Sequence, residues 1–164
     1  MQPIPDGYTA VTPWVISRDT ARLITFVKQA FDADEIARVP NEDGTIGHAE
    51  VRIGDSIVMM FDARPEWSDT PAFLRLYVAD GDAVFQRALD AGATAVTMMT
   101  EMFWGDRVGR VRDPLGNVWW IQTRVDELAP EEMERRMGEP KFVEAMRYVQ
   151  SAEIVPVAET PPRR

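Results

Sequence analysis

The sequence predicts an α+β protein made of two βαβββ modules followed by a C-terminal helical tail. Three observations predict it. Strand-like alternation dominates the first three quarters of the chain, and the helical stretches are too few for a doubly wound parallel sheet. The order strand, helix, three strands occurs twice, with turns at matching places. Helical signals then return in a segment that carries no strand pattern.

The first module spans residues 8–62. Residues 1–7, rich in proline, form a lead-in, and residues 8–16 (YTAVTPWVI) are expected as the opening strand. Asp19 then caps a helix whose Leu23, Phe26, Val27, Ala30 and Phe31 recur on one face. The chain extends again from Asp34 through Ile36 and Val39 to the polar loop at 40–44. In residues 46–53, Ala49, Val51 and Ile53 alternate with His48, Glu50 and Arg52. Gly54-Asp55-Ser56 makes a hairpin turn, and Ile57 to Phe61 form the return strand.

Residues 62–71 have the composition of a linker, and the plan repeats over 72–125. In the strand at 73–78, Leu74, Leu76 and Val78 oppose Arg75 and Tyr77. Asp80-Gly81-Asp82 caps a helix through Leu89, which Gly92 closes. Strands follow at Thr94–Thr100, Val108–Arg112 and Val118–Thr123, with a polar aromatic loop at 101–107 and a turn at Asp113-Pro114-Leu115-Gly116. Phe31-Asp32-Ala33 and Leu89-Asp90-Ala91 close the two helices in similar fashion. The helical extension covers 126–150: Pro130-Glu131-Glu132 starts one helix, Gly138 and Pro140 end it, and Phe142, Met146 and Val149 mark a second. Residues 151–164, ending Pro-Pro-Arg-Arg, are expected to be disordered.

Composition removes several classes of function. The chain has no cysteine, which excludes disulfides, thiol nucleophiles, Cys-ligated zinc and iron–sulfur clusters. Its one histidine excludes a multi-histidine site within one chain. A net charge of −9 argues against nucleic acid as a partner. No apolar run approaches the roughly 20 residues that span a bilayer, so no membrane partner is expected. The N-terminus lacks the basic-then-apolar order of a signal peptide. A cytoplasmic location is the expectation.

The strand faces turned away from the helices carry the chemistry. In the first module they present Thr12, Trp14, His48, Glu50 and Met59; in the second, Arg75, Tyr77, Arg110, Arg112, Trp120 and Gln122. Large aromatics with a few fixed polar groups suit a small-molecule pocket. Trp119 and Trp120 point to opposite faces, Trp119 to the core and Trp120 to the pocket; Met60 likewise belongs to the core. Phe103 and Trp104 are candidates for a lid or for a small cluster under the loop.

The Asp19-capped helix, the stretch Gly47-His48-Ala49-Glu50-Val51-Arg52-Ile53-Gly54-Asp55-Ser56, the strand Leu76-Tyr77-Val78 and the run from Gly105-Asp106-Arg107 to Arg112-Asp113-Pro114-Leu115-Gly116-Asn117 resemble the vicinal oxygen chelate superfamily. This is the glyoxalase I, bleomycin-resistance protein and extradiol dioxygenase group, and the likeness is greatest to its PhnB-like branch, over residues 8–125. The resemblance implies curved mixed sheets around a cavity, often at a dimer interface, and so a homodimer with a small-molecule ligand. It implies also where a metal enzyme of the group would place its four His or Glu ligands. Those positions fall on Thr12, Met59, Arg75 and Trp120, none of which suits a divalent ion. Arg75 in such a position would repel a metal and replace it electrostatically. No cofactor is therefore expected, a divalent metal being the alternative.

His48 and Glu50 share one strand face and are the candidate catalytic pair, able to act as acid and base or to hold a metal with substrate oxygens. The plainer expectation is that Glu50 pairs with Arg75, Arg110 or Arg112. The sequence favours a binding protein that holds a planar or anionic ligand among Thr12, Trp14, Met59, Arg75, Tyr77, Trp104, Arg110, Trp120 and Gln122. The alternatives are a lyase, isomerase or dioxygenase of the same group, metal-dependent or with Glu50 as base and Arg75 stabilising an enolate, and a partner-binding module using the tail helix.

Overall fold

The computed structural model describes residues 3–155. The first module holds β1 (Trp14–Ser17), α1 (Thr20–Phe31), β2 (Asp34–Pro40), β3 (Ile46–Ile53) and β4 (Ser56–Asp62). The second holds β5 (Phe73–Tyr77), α2 (Gly81–Asp90), β6 (Thr94–Glu101), β7 (Asp106–Arg112) and β8 (Val118–Arg124). The extension supplies α3 (Pro130–Met137) and α4 (Pro140–Gln150). Each module forms one mixed sheet, ordered β1-β4-β3-β2 and β5-β8-β7-β6, with β1 parallel to β4 and β5 parallel to β8. The two sheets are not closed on each other.

Both helices start as the sequence predicts. Asp19 accepts the Arg22 N–H and Asp80 the Ala83 N–H, each at 2.9 Å, satisfying donors that a helix start leaves free. The apolar faces of α1 and α2 meet in one core shared by the two sheets, where the Phe31 ring lies 4.8 Å from the Trp119 ring. Arg87 of α2 reaches Asp32 at the end of α1, at 2.9 Å. Because the helix faces of the sheets share this core, their other faces turn away from it.

Two carboxylates, the half-buried Asp62 and the buried Asp113, hold the strand ends. Asp62 accepts the N–H groups of Thr20 and Ile46, both at 2.7 Å, and so joins β4 to α1 and β3. Asp113 accepts from four donors: the N–H groups of Leu115 and Asn117, the Asn117 side chain and the Trp119 indole, at 2.8–3.0 Å. Asn117 in turn accepts the Ala72 N–H at 2.9 Å, which places the start of β5.

The opening strand is shorter than the expected 8–16. Thr9 and Thr12 hydroxyls donate to the nearby carbonyls of Val11 and Thr9, and Pro13 has no N–H to give to a ladder, so pairing begins at Trp14. Conversely, β7 begins at Asp106, two residues before the expected start, because Met102 and Asp106 close the preceding turn with a 2.8 Å hydrogen bond.

The helical extension lies across the outer face of the second sheet. Val149 and Ala145 of α4 cluster with Met102, Val108, Trp104 and Trp120. A register shift in β6 between Thr97 and Thr100 frees the Met98 N–H, which donates to the Tyr148 hydroxyl at 2.9 Å. Of the stretch expected to be disordered, residues 156–164 lie outside the described residues; before them, the Glu153 and Ile154 carbonyls accept from Arg112.

Replacing Asp113 with alanine strands a buried indole N–H and loosens the β7–β8 turn. The expected loss is about 3 kcal/mol of unfolding free energy, read by urea denaturation.

Candidate functional site

The register of the second sheet sets Arg75, Trp120, Arg110 and Thr97 side by side across its four strands. The guanidinium of Arg75 lies 4.3 Å from the Trp120 ring centroid and that of Arg110 lies 3.8 Å from it. Both are within cation–π range of the same indole. Phe73, Arg75, Arg110, Val118, Trp120 and Ile154 line a cavity of about 350 Å³ here.

The electrostatics of this row are unusual for so acidic a chain. Among the described residues, no carboxylate pairs with Arg75, Arg110 or Arg112. Arg110 is only 6% exposed and donates to the Val149 carbonyl at 2.7 Å. Burial, then the nearby Arg75 charge, pull its pKa below the usual guanidinium value. It stays protonated at any ordinary pH. Its Nε, the Trp120 indole N–H and the Thr97 hydroxyl are buried without hydrogen-bond partners among the described residues.

The corresponding row of the first sheet is Trp14, Met59, Glu50 and Ala37. Glu50 does not pair with an arginine there. It accepts from the Tyr8 hydroxyl at 2.5 Å and bonds His48 Nε2 at 2.9 Å. The expected Glu50–arginine pair is absent because Glu50 and the three arginines belong to different sheets whose outer faces look apart. For the same reason one chain does not bring Glu50 and Arg75 onto one substrate. The Tyr8 hydrogen bond, then that of His48, lowers the Glu50 pKa, and Glu50 raises that of Tyr8.

Other expected site residues are dispersed. Thr12 precedes the strand, with its hydroxyl on the Thr9 carbonyl. Trp14 is 62% exposed with its ring 5.1 Å from Phe61, and Tyr77 is 64% exposed at the edge of its sheet. Trp104 packs in the small cluster under α4, and its indole donates to Asp106 at 3.1 Å. Gln122, also buried, donates to the same carboxylate. A larger cleft of about 820 Å³ runs between the modules along β5. Arg75 and Tyr77 line it as well, while its other charged groups are mostly engaged: Asp80 caps α2 and Arg87 holds Asp32.

Sequence reasoning missed Tyr8, Phe73 and Ile154. Phe73 shares its strand face with Arg75 and Tyr77, so alternation alone could have found it. Tyr8 heads the expected strand at 8–16 but lies before pairing begins at Trp14, and Ile154 sits outside any periodic element and gave no signal.

A family model of the Glyoxalase/Bleomycin resistance protein/Dioxygenase superfamily matches residues 8–121. The chain belongs to that superfamily. An uncharacterized protein of Mycobacterium bovis is 40% identical over 140 residues, covering 79% of this chain and 92% of its own. Among solved structures, TioX of Micromonospora sp. ML1 is 25% identical with a TM-score of 0.59, covering 74% of this chain and all of its own. The PhnB protein of Bacillus cereus, 17% identical with a TM-score of 0.54, covers 72% and 100% and shares the fold. Within the superfamily frame, α3, α4 and the segment after them lie beyond the matched residues.

A divalent metal, which the superfamily implies, does not fit the positions carried over. Trp14, rather than Thr12, stands beside Met59 in the ladder, and Arg75 stands beside Trp120. Indole, thioether and guanidinium are not donors for a hard or borderline cation. His48 and Glu50 bond each other, and the described residues bring no three His, Asp or Glu groups together.

Tyr8→Phe is expected to return the Glu50 pKa towards the ordinary glutamate value, read by carbon-13 NMR titration of its carboxylate. The depressed folded pKa stabilises the protein above the unfolded glutamate pKa, and this is lost as pH falls through the folded value. Tyr8→Phe therefore moves the acid unfolding midpoint to higher pH.

Proposed function

We propose that the protein binds a planar, anionic small molecule, with Arg75 and Arg110 on its negative group and Trp120 against its flat face, and that it needs no metal to do so. One observation carries this reading: the buried Arg110 and its neighbour Arg75 flank one indole with no carboxylate, in a chain with 27 acidic residues. Arg75 is exposed, but a buried cation such as Arg110 without a counter-charge is costly unless an anion arrives. A carboxylate spanning both would make charge-assisted hydrogen bonds, and the apolar wall of Phe73 and Val118 would cover an aromatic body.

The working unit in this reading is a homodimer. β1 and β5 are edge strands, and Trp14, Phe73 and Tyr77 on them are 62%, 53% and 64% exposed. Aromatic side chains on open strand edges favour pairing with a second copy. Membership of the superfamily supports both the ligand and the dimer.

Calorimetric titration with 2-naphthoate is expected to show binding, whereas neutral 2-naphthylmethanol binds much more weakly. Arg75→Gln should weaken naphthoate binding by about tenfold or more, the worth of one charged hydrogen bond. Equal binding of the acid and the alcohol would overturn the reading. Sedimentation equilibrium is expected to give twice the chain mass of 18.6 kDa, and Trp14→Glu with Tyr77→Glu to return it to the monomer value.

A further inference from the structure

We infer that the segment Val149–Val155 is a built-in competitor for the arginine site, and that an anionic ligand must lift it to bind fully. The inference rests on the anion-binding reading above. Three main-chain carbonyls tie the segment to two arginines of this face, of which Arg110 is a donor that the anion would use. Val149 accepts from Arg110 at 2.7 Å, and Glu153 and Ile154 accept from Arg112 at 3.2 and 3.0 Å. The Ile154 side chain forms one wall of the cavity beside Arg75 and Trp120.

The segment satisfies this face poorly. A carbonyl is a dipole and leaves the guanidinium charges uncompensated, whereas a carboxylate would neutralise them. Glu153 is present, but its carboxylate makes no ion pair with the arginines; only its carbonyl is used. Of the six buried side-chain atoms without hydrogen-bond partners among the described residues, three lie in a single row beneath α4: Thr97 Oγ1, Arg110 Nε and Trp120 Nε1. That concentration marks a surface covered but not completed by its own chain. Beyond Val149, which packs in the cluster under α4, the attachment is also light. Ser151, Glu153 and Val155 are exposed, and no described ion pair involves a residue after Glu139. A ligand that displaces the segment would gain Arg110 as a full donor beside Arg75, whereas Arg112, outside the cavity lining, only holds the segment down, so affinity reports the competition between segment and ligand.

The absence of native cysteine makes a direct test simple, because Ile154→Cys creates a single thiol in the full chain. Its alkylation by neutral iodoacetamide is followed with and without saturating 2-naphthoate, and naphthoate affinity is measured for the unaltered chain and for Arg112→Gln, which releases two of the three carbonyls. The expected result is alkylation faster by about fivefold or more with naphthoate bound, and tighter binding by Arg112→Gln. Binding by Arg112→Gln where the unaltered chain binds none would also support the inference. If naphthoate binds and the thiol reacts no faster, the segment stays in place: the inference fails and the anion-binding reading stands. If neither protein binds naphthoate, both fail.

Discussion

The hydrogen bond from the Trp119 indole to the buried Asp113 carboxylate is the constraint on which the site depends. It fixes Trp119 in the core, against Phe31 of the first module. Successive strand residues face opposite ways, so pinning Trp119 inward obliges Trp120 to face outward. Ladder register then brings Arg75 from one neighbouring strand and Arg110 from the other to the same indole. One carboxylate at a turn thus joins the two modules and aims the site. Through Asn117 it also positions β5, the strand that carries Arg75.

Charge explains why the row is suited to an anion. The molecule as a whole is acidic, and its long-range field would repel a negative ligand. Recognition must therefore come from local, partly dehydrated contacts, where hydrogen bonds from guanidinium are stronger than at the open surface. Most other arginines are committed: Arg107 to Asp82, Arg136 to Asp126 and Glu132, Arg38 to Glu35. Among the described residues, what distinguishes the outer face of the second sheet is that one of its unpaired arginines, Arg110, is buried. The first sheet shows the opposite arrangement, with its carboxylate held by a phenol and an imidazole.

Much of the fold was legible because its signals are local. Alternation placed β3 at its observed limits, and both aspartate caps fixed the helix starts. The face assignments of Trp119, Met60, Arg75 and Trp120 followed from parity alone. Long-range partners were not legible. Glu50 was expected opposite an arginine because both lie on outward faces, but sequence does not say that the two sheets look apart. Tyr8 comes from a turn with no periodicity, and the carbonyls that meet Arg110 and Arg112 belong to main chain, which has no signature in residue type. The helices of the extension were visible; where they dock was not, since a register shift in β6 provides the anchor at Met98.

A crystal structure of the protein with 4-bromobenzoate would show where a planar anion sits, because bromine is located by its anomalous signal. The account predicts a bromine peak over the apolar wall near Trp120, with the carboxylate between Arg75 and Arg110. A bromine site elsewhere, with the three side chains still stacked as they are without it, would contradict the account.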